Sequence, residues 1–442
     1  MPDGSINPTL SRIVAIIAIA AAVWFCYAGG KHALASHYAL SSIPENWERA
    51  SRIEPDNPET WYRMGRYRQL DFDNANIPLS ISDYQRAVKL NPHSPYYKLD
   101  LAGAFEMAGN IAEADSNFRA AQMAYPISAE VSWKYGNFLL RQDRLTEAYA
   151  EIHRAILVEP NLIPLAVSRI WHSEPDIHLL LDQILPETVD AYSAALTFLV
   201  SEQNTTAALE VWHRLIARDP QPDMKLVYGL TDMLVAQEKF DEAGTVWHQA
   251  VAANADSASG YAGNSLVYDG GFEKDISGGG FGWRLDEKDG ADFDYDAEQK
   301  HSGGRAARVI FDGTKNMEYQ NLIQNVLVSP GTRYRFQGFI RTDKISTESG
   351  MRFEVLDPKD PQHVDLLTPN ETGTLPWTLE QSDFTTGPNT HLIVIRLVRK
   401  QSQRFDNRLS GTVWIDDVSL VPGGSGGHET QRQTISPSGT EK

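Results

Sequence analysis

Cysteine is almost missing: Cys26 is the one thiol in 442 residues, and it lies inside an apolar run. That excludes intrachain disulfides, cysteine-rich zinc sites and a CxxC redox pair. Basic residues are also in deficit, with 40 Lys+Arg against 58 Asp+Glu and a net charge of −18. A general nucleic-acid binder needs clustered cations to neutralise phosphates, so no nucleic-acid partner is expected. There is no HExxH, no Walker loop and no GxGxxG before a helix, and His301, His363 and His391 are scattered without ligand spacing. Gly423-Gly424-Ser425-Gly426-Gly427 matches GxSxG in letters, but it follows the last strand in a flexible stretch that cannot hold a strained nucleophile elbow. No catalytic residue is assigned, and the chain is expected not to be an enzyme.

Apolar residues, by contrast, reach 42% and aromatics 10%, enough to bury real cores. At about 150 residues per domain, the length points to several units rather than one. The run from Ile13 to Gly30, IVAIIAIAAAVWFCYAGG, carries no charge. As a helix it would nearly cross a hydrocarbon core of about 30 Å. Arg12 precedes it and Lys31 follows it, so flanking charge gives almost no orientation. Two readings stand: a signal anchor, or a signal peptide cleaved after Ala33-Leu34-Ala35. The anchor is preferred because the n-region is weakly basic and the apolar run is long. Both readings export the remainder; the preferred anchor gives a single pass through a bacterial inner membrane, with the bulk of the chain periplasmic or extracytoplasmic.

A period of 34 residues follows. Pro92, Pro126 and Pro160 keep that step, as do Ala87, Ala121 and Ala155, the pair Ala114 and Ala148, and Tyr84, Phe118 and Ile152. Leu101-Ala102 and Tyr135-Gly136 repeat with them. Each period predicts two helices with a turn at Gly109-Asn110 or Asp143-Arg144, small residues where the helices cross, and proline at the end. The pattern resembles the tetratricopeptide repeat. Trp61, Met64-Gly65, Tyr84, Ala87 and Pro92 match one unit, with a three-residue insertion near Asp71 to Ile77. Degenerate units carry Trp47, Ala50 and Pro55 before it, and Tyr192, Ala208, Trp212, Pro220, Trp247 and Ala250 after it. The 60 residues from Pro160 to Pro220 predict an irregular pair. The resemblance implies a concave groove for a protein or peptide partner, with Tyr96, Trp133, Asn137 and Arg141 facing it.

The helical period stops in AANADSASGYAG, and runs of β character separated by Gly, Pro, Asn and Asp take over. Strands are expected at 307–311, 322–328, 333–340, 351–356, 391–398 and 412–421. Asp292, Asp294 and Asp296, alternating with Phe293 and Tyr295, read as an acidic outer strand face. Gly271-Phe272-Glu273, Gly282-Trp283, the run His301 to Val309, Ser329 to Tyr334, Ile340 to Thr342 and Gly411 to Val418 occur in order. Together they resemble a galactose-binding-like jelly roll of the carbohydrate-binding modules related to families 4, 9 and 22. That resemblance implies a structural calcium at Glu273 and Asp417, and a polysaccharide surface drawn from Trp283, Tyr295, Tyr319, Arg341, Trp377 and Arg396. Trp414 is expected in the core.

The expected architecture is multidomain: an N-terminal segment (1–12), a transmembrane signal anchor (13–30), an all-α tetratricopeptide-like solenoid (31–255), a linker (256–263), an all-β jelly-roll sandwich (264–422) and a disordered tail (423–442). The reading is a non-enzymatic, membrane-anchored envelope scaffold that binds a protein through its repeats and a glycan through its sandwich. By analogy of domain pairing it serves exopolysaccharide or O-antigen assembly or export. The alternative is a peptide-binding adaptor of a membrane complex with a purely structural sandwich.

Overall fold

The computed structural model describes residues 8–41, 43–71, 75–219, 221–254, 260–423 and 433–434. Residues 72–74 of the expected insertion, Pro220, residues 255–259 around the expected linker and Ser425 with most of the tail lie outside the described residues. The chain forms two compact units, Met1–Pro186 and Glu187–Lys442.

The first unit begins with α1 (Pro8–Ala39), whose stretch Arg12–Ala39 is long and apolar enough to cross a membrane. Next come α2 (Pro44–Ile53), α3 (Pro58–Leu70), α4 (Ile77–Leu90), α5 (Pro95–Met107), α6 (Ile111–Ala124), α7 (Ala129–Arg141) and α8 (Leu145–Val158). Local chemistry sets the starts: Asn57 and Ser94 accept the backbone N–H groups of Glu59 and Tyr97, and Pro58 and Pro95 occupy first turns, where no helical hydrogen bond is lost. Within the pairs α5/α6 and α7/α8 the chain reverses through a left-handed residue, Gly109 (φ 77°) and then Asp143 (φ 56°). The periodic alanines 87, 102, 114, 121, 148 and 155 are all fully buried, with Tyr84, Phe118 and Ile152 filling the space beside them. A methyl group at Gly136 would stand 2.9 Å from Ile152, so this crossing is closer than alanine allows. The irregular pair is α9 (Ile163–Ser173), then α10 (Ile177–Leu179) running into a π turn over Leu180–Ile184.

The second unit opens with two further pairs, α11 (Val189–Ser201) with α12 (Thr205–Arg218), and α13 (Met224–Ala236) with α14 (Phe240–Ala253). Eleven strands follow among the described residues: β1 (Arg284–Leu285), β2 (Ala291–Asp296), β3 (Ala306–Asp312), β4 (Tyr319–Leu327), β5 (Arg333–Ile345), β6 (Arg352–Leu356), β7 (Asp365–Leu367), β8 (Gly373–Thr385), β9 (Leu392–Arg399), β10 (Ser410–Pro422) and β11 (Gln433–Thr434). They make two antiparallel sheets, ordered β1-β4-β9-β6-β7 and β11-β8-β5-β10-β3-β2. Alternate residues such as Phe336, Ile340, Ile395, Val413 and Ile415 point between the sheets into one core. Their neighbours along each strand form the two outer faces. The outer face of the five-stranded sheet is partly covered by α14, where a methyl at Gly244 would stand 3.0 Å from Leu327.

Candidate binding surfaces

In the first unit, residues of α3, α5, α7 and α9 line a groove of about 580 Å³. Trp133, Asn137 and Arg141 lie in it, as the repeat positions predict; Tyr96 does not, standing exposed at the start of α5 outside the lining. The groove also holds Arg66, Asp100, Glu106, Lys134 and Arg169, which sequence reasoning missed. Asp100 gathers charge, accepting the Tyr62 hydroxyl at 2.7 Å and Lys134 Nζ at 3.3 Å. Burial, and then that hydrogen bond to Asp100, push the Tyr62 hydroxyl above its ordinary pKa. Arg141 forms a fork with Glu106 at 2.7 and 2.8 Å. Arg169 differs: it donates to the neutral Asn137 Oδ1 at 2.5 Å and lies 5.9 Å from the centre of the Trp133 ring. Among the described residues no carboxylate neutralises it.

In the sandwich the six expected glycan residues do not converge. Trp283 is 3% exposed, stacks on Phe272 at 4.8 Å and donates its indole N–H to the Asp269 carbonyl at 3.0 Å. Tyr319 is 2% exposed and belongs to the same core. Neither offers a platform, because both are buried in the core. Tyr295 also packs toward the core, with Arg305 3.7 Å above its ring. Arg396 lies on the outer face of the other sheet, ion-paired to buried Glu354. Only Arg341 and Trp377 share a surface, the outer face of the six-stranded sheet.

That face has a member the sequence assigned elsewhere. Trp414 lies between the core residues Val413 and Ile415, so it points outward; it is buried beneath neighbours on the outer face rather than between the sheets. Its indole N–H donates to Asp296 at 2.9 Å, and the Arg341 guanidinium lies 5.7 Å from its ring centre. On its other side Arg308 opposes Trp414 in register and pairs with Asp294 at 2.6 Å and Asp296 at 3.0 Å. The strand of alternating aspartates is thus an acidic outer face tied down by one arginine. The Arg308 bond holds the Asp294 carboxyl below its usual range. Burial pushes Asp296 the other way, but its backbone and indole donors and the Arg308 charge prevail, and it too is lowered.

The expected calcium ligands meet at one edge of the sandwich. Glu273 accepts the Gly304 N–H at 2.6 Å, and Asp417 accepts the Ser302 hydroxyl at 2.8 Å and lies 2.6 Å from His301 Nδ1. Asp416 accepts the N–H groups of His301 and Ser302 at 2.9 and 3.1 Å, and burial lifts its carboxyl to about 6. Among the described residues no group of three or more His, Cys, Asp or Glu side chains is arranged to hold a metal ion.

Paired helices repeating every 34 residues and a two-sheet antiparallel sandwich define a chain with a tetratricopeptide-like repeat region and an all-β domain. Residues 69–122 match the tetratricopeptide repeat family. A stretch of 172 residues is 28% identical to the tRNA nuclease WapA of Bacillus subtilis (strain 168), covering 37% of this chain and 7% of that protein, so the chain spans a small fraction of this relative. Among solved structures, pilF of Pseudomonas aeruginosa is 18% identical with a TM-score of 0.24, covering 45% of this chain and 79% of its own. A family 16 carbohydrate-binding module is 18% identical with a TM-score of 0.26, covering 35% and 99%. These likenesses do not single out families 4, 9 or 22, and both folds rest on the helix pairing and strand order given above.

Proposed function

We propose that the chain is a membrane-anchored scaffold of the bacterial cell envelope, held in the inner membrane by α1 with its bulk in the periplasm, and serving exopolysaccharide or O-antigen assembly or export. In this reading the groove over α3 to α9 holds an extended segment of a partner protein, and the outer face of the six-stranded sheet contacts a glycan. The supporting observation is the groove itself, where Trp133, Asn137 and Arg169 present an aromatic face beside a guanidinium that no carboxylate among the described residues offsets. Peptides selected from a random library on the full chain in detergent should lose at least tenfold in affinity with Trp133→Ala or Arg169→Glu. Unchanged affinity in both variants rejects the groove as the binding surface.

The edge cradle is proposed to hold a structural calcium, with Glu273 and Asp417 as its carboxylate ligands, because hard oxygens suit that ion. A chelator should then lower the Tm of the full chain, and Glu273→Gln should remove the difference; equal Tm values with calcium and with chelator reject it. The adaptor reading, with a purely structural sandwich, is favoured by the burial of Trp283 and Tyr319 and by the pairing of Arg396. A blank glycan panel with retained peptide binding would select it.

A further inference from the structure

The outer face of the six-stranded sheet carries a row that crosses four strands: Trp377 on β8, Arg341 on β5, Trp414 on β10 and Arg308 on β3. Three inter-strand steps make it about 14 Å long. His301 closes one side, stacked on Phe339 at 3.5 Å and edge-on to Trp377 at 5.8 Å. The two arginines differ in kind. Arg308 is spent on Asp294 and Asp296. Arg341 has no carboxylate or hydrogen-bond partner among the described residues, and its Nε is buried without an acceptor. A guanidinium held over an indole, half-buried and uncompensated, is an unfinished ion pair.

From this geometry we infer that the face binds a carboxylate-bearing polysaccharide, a polyuronate, with a uronate carboxylate on Arg341 and sugar rings against Trp377. The inference rests on the glycan part of the proposed function and narrows it to one chemical class. Charge complementarity supplies the choice. A neutral sugar leaves the Arg341 charge unanswered, whereas a carboxylate accepts two parallel N–H bonds from the planar fork. The acids nearest the row have other partners: Asp294 and Asp296 pair with Arg308, Asp343 accepts the Thr374 hydroxyl, Asp416 accepts the backbone N–H groups of His301 and Ser302, and Asp417 meets Ser302 and His301. The chain as a whole is at −18, so it repels polyanions in general and any such binding must be local.

The test uses the full chain in detergent, titrated with polygalacturonate, alginate and hyaluronan, and in parallel with dextran and fully methyl-esterified polygalacturonate. Esterification keeps the backbone and removes the charge. The expected result is saturable binding to at least one polyuronate, at least tenfold weaker binding to the neutral polymers, a tenfold loss with Arg341→Gln and partial recovery with Arg341→Lys. Equal binding to polygalacturonate and its methyl ester, or an Arg341→Gln variant that binds polyuronate undiminished, overturns the inference while leaving glycan binding standing. Binding to none of the five polymers overturns both. Amide exchange of β5 and β10 in the Arg341→Gln protein should match wild type, which separates lost recognition from lost folding.

Discussion

Gly65 and Gly103 both lie inside helices of the repeat region, in α3 and α5, and the same substitution should move stability in opposite directions at the two positions. A Cβ at Gly65 would stand 2.7 Å from Cδ1 and 2.8 Å from Cε1 of Tyr84. That ring has nowhere to go: it is fully buried, and its hydroxyl donates to Gln69 at 2.7 Å. At Gly103 the nearest atom is Gln69 Nε2 at 3.6 Å, an ordinary contact. Replacing a helical glycine with alanine gains about 0.8–1 kcal/mol from backbone entropy. Overpacking a filled site costs about 1–3 kcal/mol. Gly103→Ala should therefore stabilise by about 1 kcal/mol, and Gly65→Ala should destabilise by about 1 kcal/mol. With an m-value of about 2 kcal/mol/M, that gap of about 2 kcal/mol separates the urea midpoints by about 1 M. Helical signal at 222 nm reads it. Equal stabilisation by both variants would refute the claim that the α3/α4 crossing is set by steric contact with Tyr84.

Burial lifts the carboxyls of Asp83, Asp269 and Asp416 to about 6, against 3.8 for the free side chain. The folded pKa is the higher one, so each group's contribution is full below about pH 3.8 and is lost as pH rises through 6. Between pH 4.5 and 7.5, wild type should lose about 2 kcal/mol that an Asp83→Asn variant keeps; urea midpoints that track each other across that range would contradict it. Arg399 is fully buried and donates to the Ser349 and Asn407 carbonyls, Asn316 Oδ1, Thr347 Oγ1 and the Met317 carbonyl. Arg399→Leu strands those acceptors and should destabilise the sandwich by about 3–5 kcal/mol, which thermal melting would detect.

The repeats were legible because their physics is local. Small residues recurring every 34 positions mark helix crossings, and all six of the periodic alanines followed here are fully buried. Strand β8 escaped notice for an equally physical reason. It contains Pro376, and its inward positions include Thr378 and Glu380, so the usual apolar alternation is missing from the buried side. The six glycan candidates are scattered over the sandwich because an aromatic's type does not tell which face of a strand it takes. Trp283 and Tyr319 turned inward, whereas Trp414, read as core, turned outward; only its place between Val413 and Ile415 shows this, once the register of β10 is known. Position within a repeat does fix orientation, and Trp133, Asn137 and Arg141 line the groove while Tyr96 does not.

The stretch read as a linker joins elements that are packed together within the second unit. Trp247 of α14 is 1% exposed and is enclosed by Tyr261, Tyr268 and Phe281 at 2.8 Å (Nε1 to hydroxyl), 5.3 Å and 5.7 Å (ring centres). Gly279 and Gly280 lie so close to Tyr228 and Trp247 that a Cβ at either would stand 2.5 Å from them, and Gly280 has φ +60° besides. Arg284 of β1 reaches Asp232 of α13 at 2.5 Å. These contacts make the last helix pair part of the sandwich's own support. Trp247→Ala should cost about 3–5 kcal/mol, and the loss should be felt on both sides of residues 254–263. Hydrogen exchange followed by mass spectrometry resolves the two sides. Exchange should rise together in α13, α14, residues 261–285 and β4, while α5 to α8 stay as in wild type. A rise confined to α13 and α14 would mean that the sandwich stands without them, and that the helices are attached to it by chain connectivity alone.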